Sequence, residues 1–159
     1  MPEPGSVQAY LREHIPLSNA LGIEVVEAAA HAVTLSAPLA PNVNHRGTVF
    51  GGSAAAVATL SAWTLLYLRL GNEGIHCDVV IQKNAMTYAC PITGRFTATC
   101  RFHDPAAWTR FLAALRKYHR ARIKLDSVLH CGGKKVAEFD GHFVAIRDQK
   151  TDPPKERNG

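Results

Sequence analysis

The chain has 159 residues and a mass of 17.3 kDa, a length that fits one domain with a sizeable core. Apolar residues make up 47% and charged residues 19%, with a mean hydropathy of −0.06, which excludes a disordered tail protein and a polytopic membrane protein. The net charge of +5 and the pI near 9.2 favour acidic or phosphorylated partners, among them nucleic acid, coenzyme A and acidic carrier proteins.

Residues 1–19 alternate charged and apolar side chains without an apolar h-region, so no secretory signal is expected and the address reads as cytoplasmic. An amphipathic helix is predicted over 7–14, ended by Pro16. Residues 22–27 and 32–37 read as short strands, and a loop rich in Pro and Asn follows over 38–48. From 47 to 68 there is no charged residue, a length that can span a bilayer. Its first half is small and weakly apolar, poor in the Leu, Ile, Val and Phe on which membrane insertion depends. A fully buried helix over about 51–70 is therefore the better reading, with Gly71 and Gly74 as its stop.

Beyond that helix the period changes to two. Strands over 79–88 and 95–102 flank Pro91 to Gly94, which predicts a hairpin. Asp104 and Pro105 start a helix with Trp108, Phe111, Leu112 and Leu115 on one face. Strands over 121–129 and 136–146 join at Gly132-Gly133. Residues 1–150 are expected to form a single domain, and 151–159 a loose polar tail. Cys77, Cys90, Cys100 and Cys131 show neither CxxC nor zinc-ligand spacing, which predicts free thiols in a reducing compartment and no metal site. The order of elements predicts an α+β domain, a curved antiparallel sheet wrapped around one long central helix. Uncovered sheet edges predict a homodimer or a dimer of dimers.

The informative stretch is Asn44-His-Arg-Gly47-Thr-Val-Phe50-Gly51-Gly52-Ser53. It resembles the N-x-x-G-x-x-H-G-G signature that opens the central helix of hot-dog-fold acyl-CoA thioesterases. Tyr88-x-x-Pro91-x-x-Gly94 and Ala137-Glu-Phe-Asp-Gly141 resemble two strand motifs of the same fold. The nearest resemblance is to the family named for the C-terminal domain of YiiD, in which phenylalanine also precedes the glycine pair. It covers about 15–147 and implies a hot-dog fold acting on thioesters of coenzyme A or acyl carrier protein. No cofactor is implied beyond the coenzyme A or phosphopantetheine of the substrate.

A helix N-terminus presents unpaired N–H groups and partial positive charge, and glycines there let a carbonyl approach closely. Gly51 and Gly52 can thus polarise a thioester oxygen, and the resemblance implies that Asn44 adds an amide donor. The alternative is a tight turn into the helix, with Asn44 capping it. His45, Phe50, Ser53 and Tyr88 are the candidate substrate contacts within these motifs, His45 being equally a plain loop residue. Many enzymes with this signature carry a carboxylate on the central helix, where this chain has Thr59; Phe50 replaces the motif histidine; and no carboxylate occurs between Glu27 and Glu73.

Two chemistries survive the loss of that base. Thr59, helped by Gln82 or a second subunit, can assist hydrolysis, although a helix hydroxyl is often simply bonded to a backbone carbonyl. Decarboxylation of a malonyl thioester needs no base, only donors for the enolate oxygen and a site that strips water from the carboxylate. The YiiD-type resemblance implies that activity on malonyl-carrier protein, and it is the favoured chemistry, with hydrolysis and non-catalytic acyl-thioester binding as alternatives. Arg120, Arg122 and Lys124 line one strand face, either to hold phosphates or an acidic carrier, or as a solvated face. Nucleic acid is disfavoured, since no aromatics are interleaved and no recognition helix appears.

Overall fold

The computed structural model describes residues 2–148, and the tail expected over 151–159 lies outside them. Pro4–His14 (α1) starts with proline in its first turn, three residues earlier than the apolar periodicity indicated. Past Pro16 the chain makes one further turn, Leu17–Ala20 (α2), too short to leave a period in the sequence. Glu24–Ala28 (β1) and Ala32–Ala37 (β2) pair antiparallel.

Gly51–Asn72 (α3) is the long apolar helix. It is long and apolar enough to cross a membrane, yet most of its length is buried inside the fold, so it is the core helix. Gly71 stays helical, and Gly74 (φ +68) carries the stop. The Gly74 N–H donates to Gly71 O at 3.0 Å and the Ile75 N–H to Leu70 O at 2.9 Å, the Schellman pattern, with Ile75 buried behind it.

Asp78–Tyr88 (β3), Phe96–Arg101 (β4), Arg120–Cys131 (β5) and Lys134–Ile146 (β6) complete a six-stranded sheet of order β1-β2-β4-β5-β6-β3. Every pairing is antiparallel, and the curved sheet wraps α3 in the hot-dog arrangement. Inward-facing side chains include Leu35, Phe96, Ala98, Leu125, Leu129, Phe139 and Phe143, all buried. Ser61 of α3 meets Ser127 of β5 at 2.8 Å within that layer, so the two buried hydroxyls satisfy each other.

The hairpin expected between β3 and β4 does not form. β3 lies at the sheet edge against β6, whereas β4 sits between β2 and β5. The Pro91–Gly94 segment is a crossover, because buried Ile92 draws it inward and its carbonyl accepts from Val49 N–H at 2.9 Å. The true hairpin is β5–β6, where Gly132 (φ +59) and Gly133 (φ +76) supply the two positive φ angles of a tight turn.

Pro105–Tyr118 (α4) is capped by the Asp104 carboxylate, which accepts from Ala107 N–H at 3.0 Å. Its apolar face is the expected set Trp108, Phe111, Leu112 and Leu115. Arg69 of α3 fixes this end of the molecule: its guanidinium lies 3.6 Å from the Phe102 ring centroid and 4.5 Å from that of Trp108, and it donates to Ala30 O. On the other side of α3, stacked rings run His14–Tyr10–Tyr67–Trp63, with centroid spacings of 4.0, 4.9 and 5.2 Å, and tie α1 to α3.

The glycine of the Ala137-x-Phe139-x-Gly141 motif has a packing reason. A Cβ at Gly141 would stand 2.7 Å from the rings of Phe139 and Phe143, both fully buried. Gly141→Ala is expected to lower unfolding free energy by about 1–3 kcal/mol, measured by urea titration. An unchanged midpoint would show that the phenylalanine pair can shift freely.

Candidate active site

The segment before α3 is built around two asparagines. Buried Asn42 donates through its side-chain amide to Leu21 O and Pro38 O, both at 2.8 Å, and its backbone carbonyl accepts from Phe50 N–H at 2.7 Å. Asn42 thereby fixes where α3 begins, a role the sequence reading missed; the only signal was a second asparagine two residues before the motif. Asn44 organises the loop that follows. Its Oδ1 accepts from the N–H groups of Arg46 (2.8 Å) and Thr48 (3.1 Å), and its Nδ2 donates to Thr48 Oγ1 at 2.9 Å. Gly47 supplies the φ of +76° that the turn requires. The N-x-x-G spacing is thus an Asx-type turn. One Nδ2 hydrogen is held by Thr48, while the other faces Val49 O across 3.5 Å, a length at which little bonding remains.

The chain enters α3 at Phe50, an extended residue that offers no side-chain cap, and the first turn contains no acidic residue. The first intrahelical donation is from Ala54 N–H to Phe50 O at 3.1 Å. The N–H groups of Gly51, Gly52 and Ser53 precede it and have no intrahelical partner. Tyr88 from the end of β3 reaches this turn and donates its hydroxyl to Gly51 O at 2.7 Å. Burial raises the phenol above its ordinary value, so it remains neutral and able to donate. The Phe50 ring, more than half exposed, lies over Gly52, where a Cβ would meet it at 2.4 Å. Thr48, Val49, Gly51, Tyr88 and the crossover segment line a cleft of about 410 Å³ beside the turn, with no carboxylate in its wall.

The structure therefore gathers Asn44, Phe50, Gly51, Gly52, Ser53 and Tyr88 at one end of α3. His45 is exposed at the loop surface beside them. Thr59 stands two turns along the helix, about 12 Å from Gly51. Its hydroxyl donates to Ala55 O at 2.8 Å, and it lines a separate apolar cleft with Leu17, Leu21 and Trp63. Within one chain Thr59 does not meet the Gly51 turn.

Arg120, Arg122 and Lys124 do share one exposed strand face, but not that end of the sheet. Arg122 is opposite Val144, whereas Leu129 is opposite Ala137, which itself pairs with Tyr88; along β5 from the level of Tyr88 the row begins at Lys124, about 17 Å away, and Arg122 is about 23 Å away. Lys124 pairs with Asp140 at 3.7 Å, and Asp126 lines the same shallow cleft as Arg122. Burial pushes the Cys77 thiol upward and that of Cys100 up to about 12, so neither is poised as a thiolate nucleophile.

The family described as "Putative thioesterase (yiiD_Cterm)" matches over residues 5–147. A Shewanella oneidensis protein described as a "putative thioesterase" is 28% identical, with a TM-score of 0.80 over 90% of this chain and 96% of that one. A Chlorobaculum tepidum protein of unknown function is 27% identical, with a TM-score of 0.86 over 91% and 94% of the two chains. A Haemophilus influenzae thioesterase is 12% identical, with a TM-score of 0.73 over 92% of each chain, a likeness of fold alone.

The bond from Tyr88 to Gly51 O steadies the first turn of α3. Tyr88→Phe is expected to lower stability by about 1 kcal/mol and to reduce turnover of whichever thioester the protein accepts. A variant with unchanged melting and unchanged turnover would remove Tyr88 from the site.

Proposed function

Starting from a chain that belongs to the "Putative thioesterase (yiiD_Cterm)" family and has its hot-dog fold, we propose that it processes acyl thioesters of coenzyme A or acyl carrier protein and that its chemistry is decarboxylation of a malonyl thioester. One observation carries this reading: an uncapped helix N-terminus opens on a cleft without a carboxylate. Such a cleft can stabilise negative charge on an oxygen, but it supplies no base to activate water.

The steps follow from that inventory. The thioester oxygen takes hydrogen bonds from the Gly51 and Gly52 N–H groups, with the loosely held Asn44 amide hydrogen as a further donor. Phe50 excludes water from the substrate carboxylate. The bond between the α-carbon and that carboxylate breaks, carbon dioxide leaves, and the electron pair moves into an enolate whose oxygen faces the donors. The α-carbon then takes a proton from water, with His45 and Tyr88 the titratable groups at hand, which yields the acetyl thioester.

A second reading, hydrolysis, draws support from Thr59, a hydroxyl beside an apolar cleft suited to an acyl chain. It needs Thr59 brought to a carbonyl from which it is separated along its own helix, and a second subunit is the means. β3 is an open edge with half-exposed Val80, and we assign the pairing of two copies to it. Antiparallel pairing of two β3 edges would set the Asp78 end of one beside the Tyr88 end of the other. That inversion would bring Arg120 and Arg122 toward the partner's site, where they can meet phosphates or an acidic carrier.

Incubation with malonyl thioester is expected to give acetyl thioester; free thiol as the sole product would select hydrolysis. Asn44→Asp keeps the two backbone acceptor contacts of the loop and removes the amide donor, so it should retain the parent melting temperature while turnover falls ~100-fold. Normal turnover would reduce Asn44 to a loop builder. Thr59→Ala should matter little for decarboxylation. Light scattering at micromolar concentration is expected to show a dimer or larger, and a strict monomer would contradict the pairing.

A further inference from the structure

We infer that the outer face of the sheet, where β3, β6 and β5 lie side by side, is a docking surface for an anionic lipid leaflet, so that the protein binds at a membrane surface without entering it. The inference does not depend on the thioester chemistry. Strand register makes the surface. Lys83 lies opposite His142, and His142 opposite Lys124, so three basic side chains stand in one cross-strand row about 10 Å wide. The next outward row is Val80, Val144 and Arg122, and the one beyond it Asp78, Ile146 and Arg120. Residues paired across strands share a face. Buried Ile123, Leu125 and Phe143 alternate with this set and point to the core, so the set itself points away from α3. Like charges directly opposite one another work against strand pairing, and the chain does little to offset them. Lys124 meets Asp140 at 3.7 Å, whereas Lys83, His142, Arg120 and Arg122 form no ion pair among the described residues. Asp78 is the one carboxylate within these rows.

The shape selects the partner. A lone phosphate is held by donors that converge on one point, and an extended acidic peptide by a groove or a free strand edge. These cations instead stand parallel on a plane, about 13 Å long from Arg120 to Lys124. A polybasic plane is attracted to the negative potential of an anionic leaflet. Exposed apolar side chains lie among the charges. Val80 and Ile146 are within the rows, and Tyr118 is beside Arg120 at the turn from α4, with the Lys117 ammonium 5.0 Å from its ring centroid. A tyrosine, with an apolar ring and a polar tip, settles at headgroup level. In the β3-paired dimer proposed above, both faces would lie on one side of a continuous sheet, with a Lys83 row on each side of the junction.

Cosedimentation with vesicles tests the inference. The parent is expected to bind vesicles of phosphatidylglycerol and phosphatidylcholine in equal parts, to ignore vesicles of phosphatidylcholine alone, and to lose binding as salt screens exposed charges. Lys83→Ala should weaken binding about fivefold, the weight of one cation near a charged leaflet, and Lys83→Glu roughly tenfold or more. Lys117→Glu, which lies off the β3 edge and so leaves strand pairing alone, should act in the same direction. Tyr118→Ala, at a side chain 65% exposed, should weaken binding with unchanged melting. Equal binding to charged and uncharged vesicles, or binding to charged vesicles that neither Lys83→Glu nor Lys117→Glu weakens, would overturn the inference. Release from the vesicles by poly-glutamate or by glycerol phosphate, at a charge concentration equal to that of the lipid, would also overturn it. The first would make the face a site for an acidic protein, and the second a site for a free phosphate.

Discussion

The two ends of α3 are treated unequally, and the rest of the structure is arranged around that difference. A buried helix of 22 residues, about 33 Å long, leaves unpaired carbonyls at one end and unpaired N–H groups at the other. At the C-terminal end the protein satisfies them itself: Gly74 and Ile75 close the Schellman turn. Arg69, Phe102, Trp108 and Glu73 then lock α4 over it. At the N-terminal end it does not. Phe50 has no capping atom, and the side chains that approach either accept no hydrogen, as Phe50 does, or face a carbonyl, as Tyr88 does. Donors left open beside a cleft are what an acyl oxygen can use.

Most of the architecture was legible in the sequence because it is written in local periods. The α3 run, the apolar face of α4 and the alternation along β5 are each confined to one segment, and each appears where the pattern put it. The β3–β4 hairpin was misread because Pro91 and Gly94 signal a turn but not which strands flank it in space. Buried Ile92, which turns that segment into a crossover, looks in sequence like any loop isoleucine. The turn at α2 is too short to leave a period, and the anchoring of the segment before α3 by Asn42 was invisible because one of its partners, Leu21 O, is a tertiary neighbour.

The site was legible in part. Phe50, Gly51, Gly52 and Tyr88 come from two distant motifs and meet within a few ångströms, and Asn44 holds the loop that leads into them. The structure adds that most of the hydrogen-bonding capacity of Asn44 is spent on the loop, and that the spacing to Gly47 is a turn requirement before it is a catalytic one. Thr59 and the basic row were grouped with the site by sequence, yet helix rise and strand register set both apart from it within one chain. The antiparallel partner proposed above would bring them back, which makes the open β3 edge part of the functional question.

The central claim is that the N-terminus of α3 polarises a thioester carbonyl, and the carbonyl itself can report it. Difference infrared spectroscopy of an acetyl thioester labelled with a heavy isotope at the carbonyl carbon would read the stretching frequency when bound and when free in water. The account predicts a shift to lower frequency on binding, as electron density moves onto an oxygen held by fixed donors. A bound carbonyl that absorbs at or above its frequency in water would contradict it.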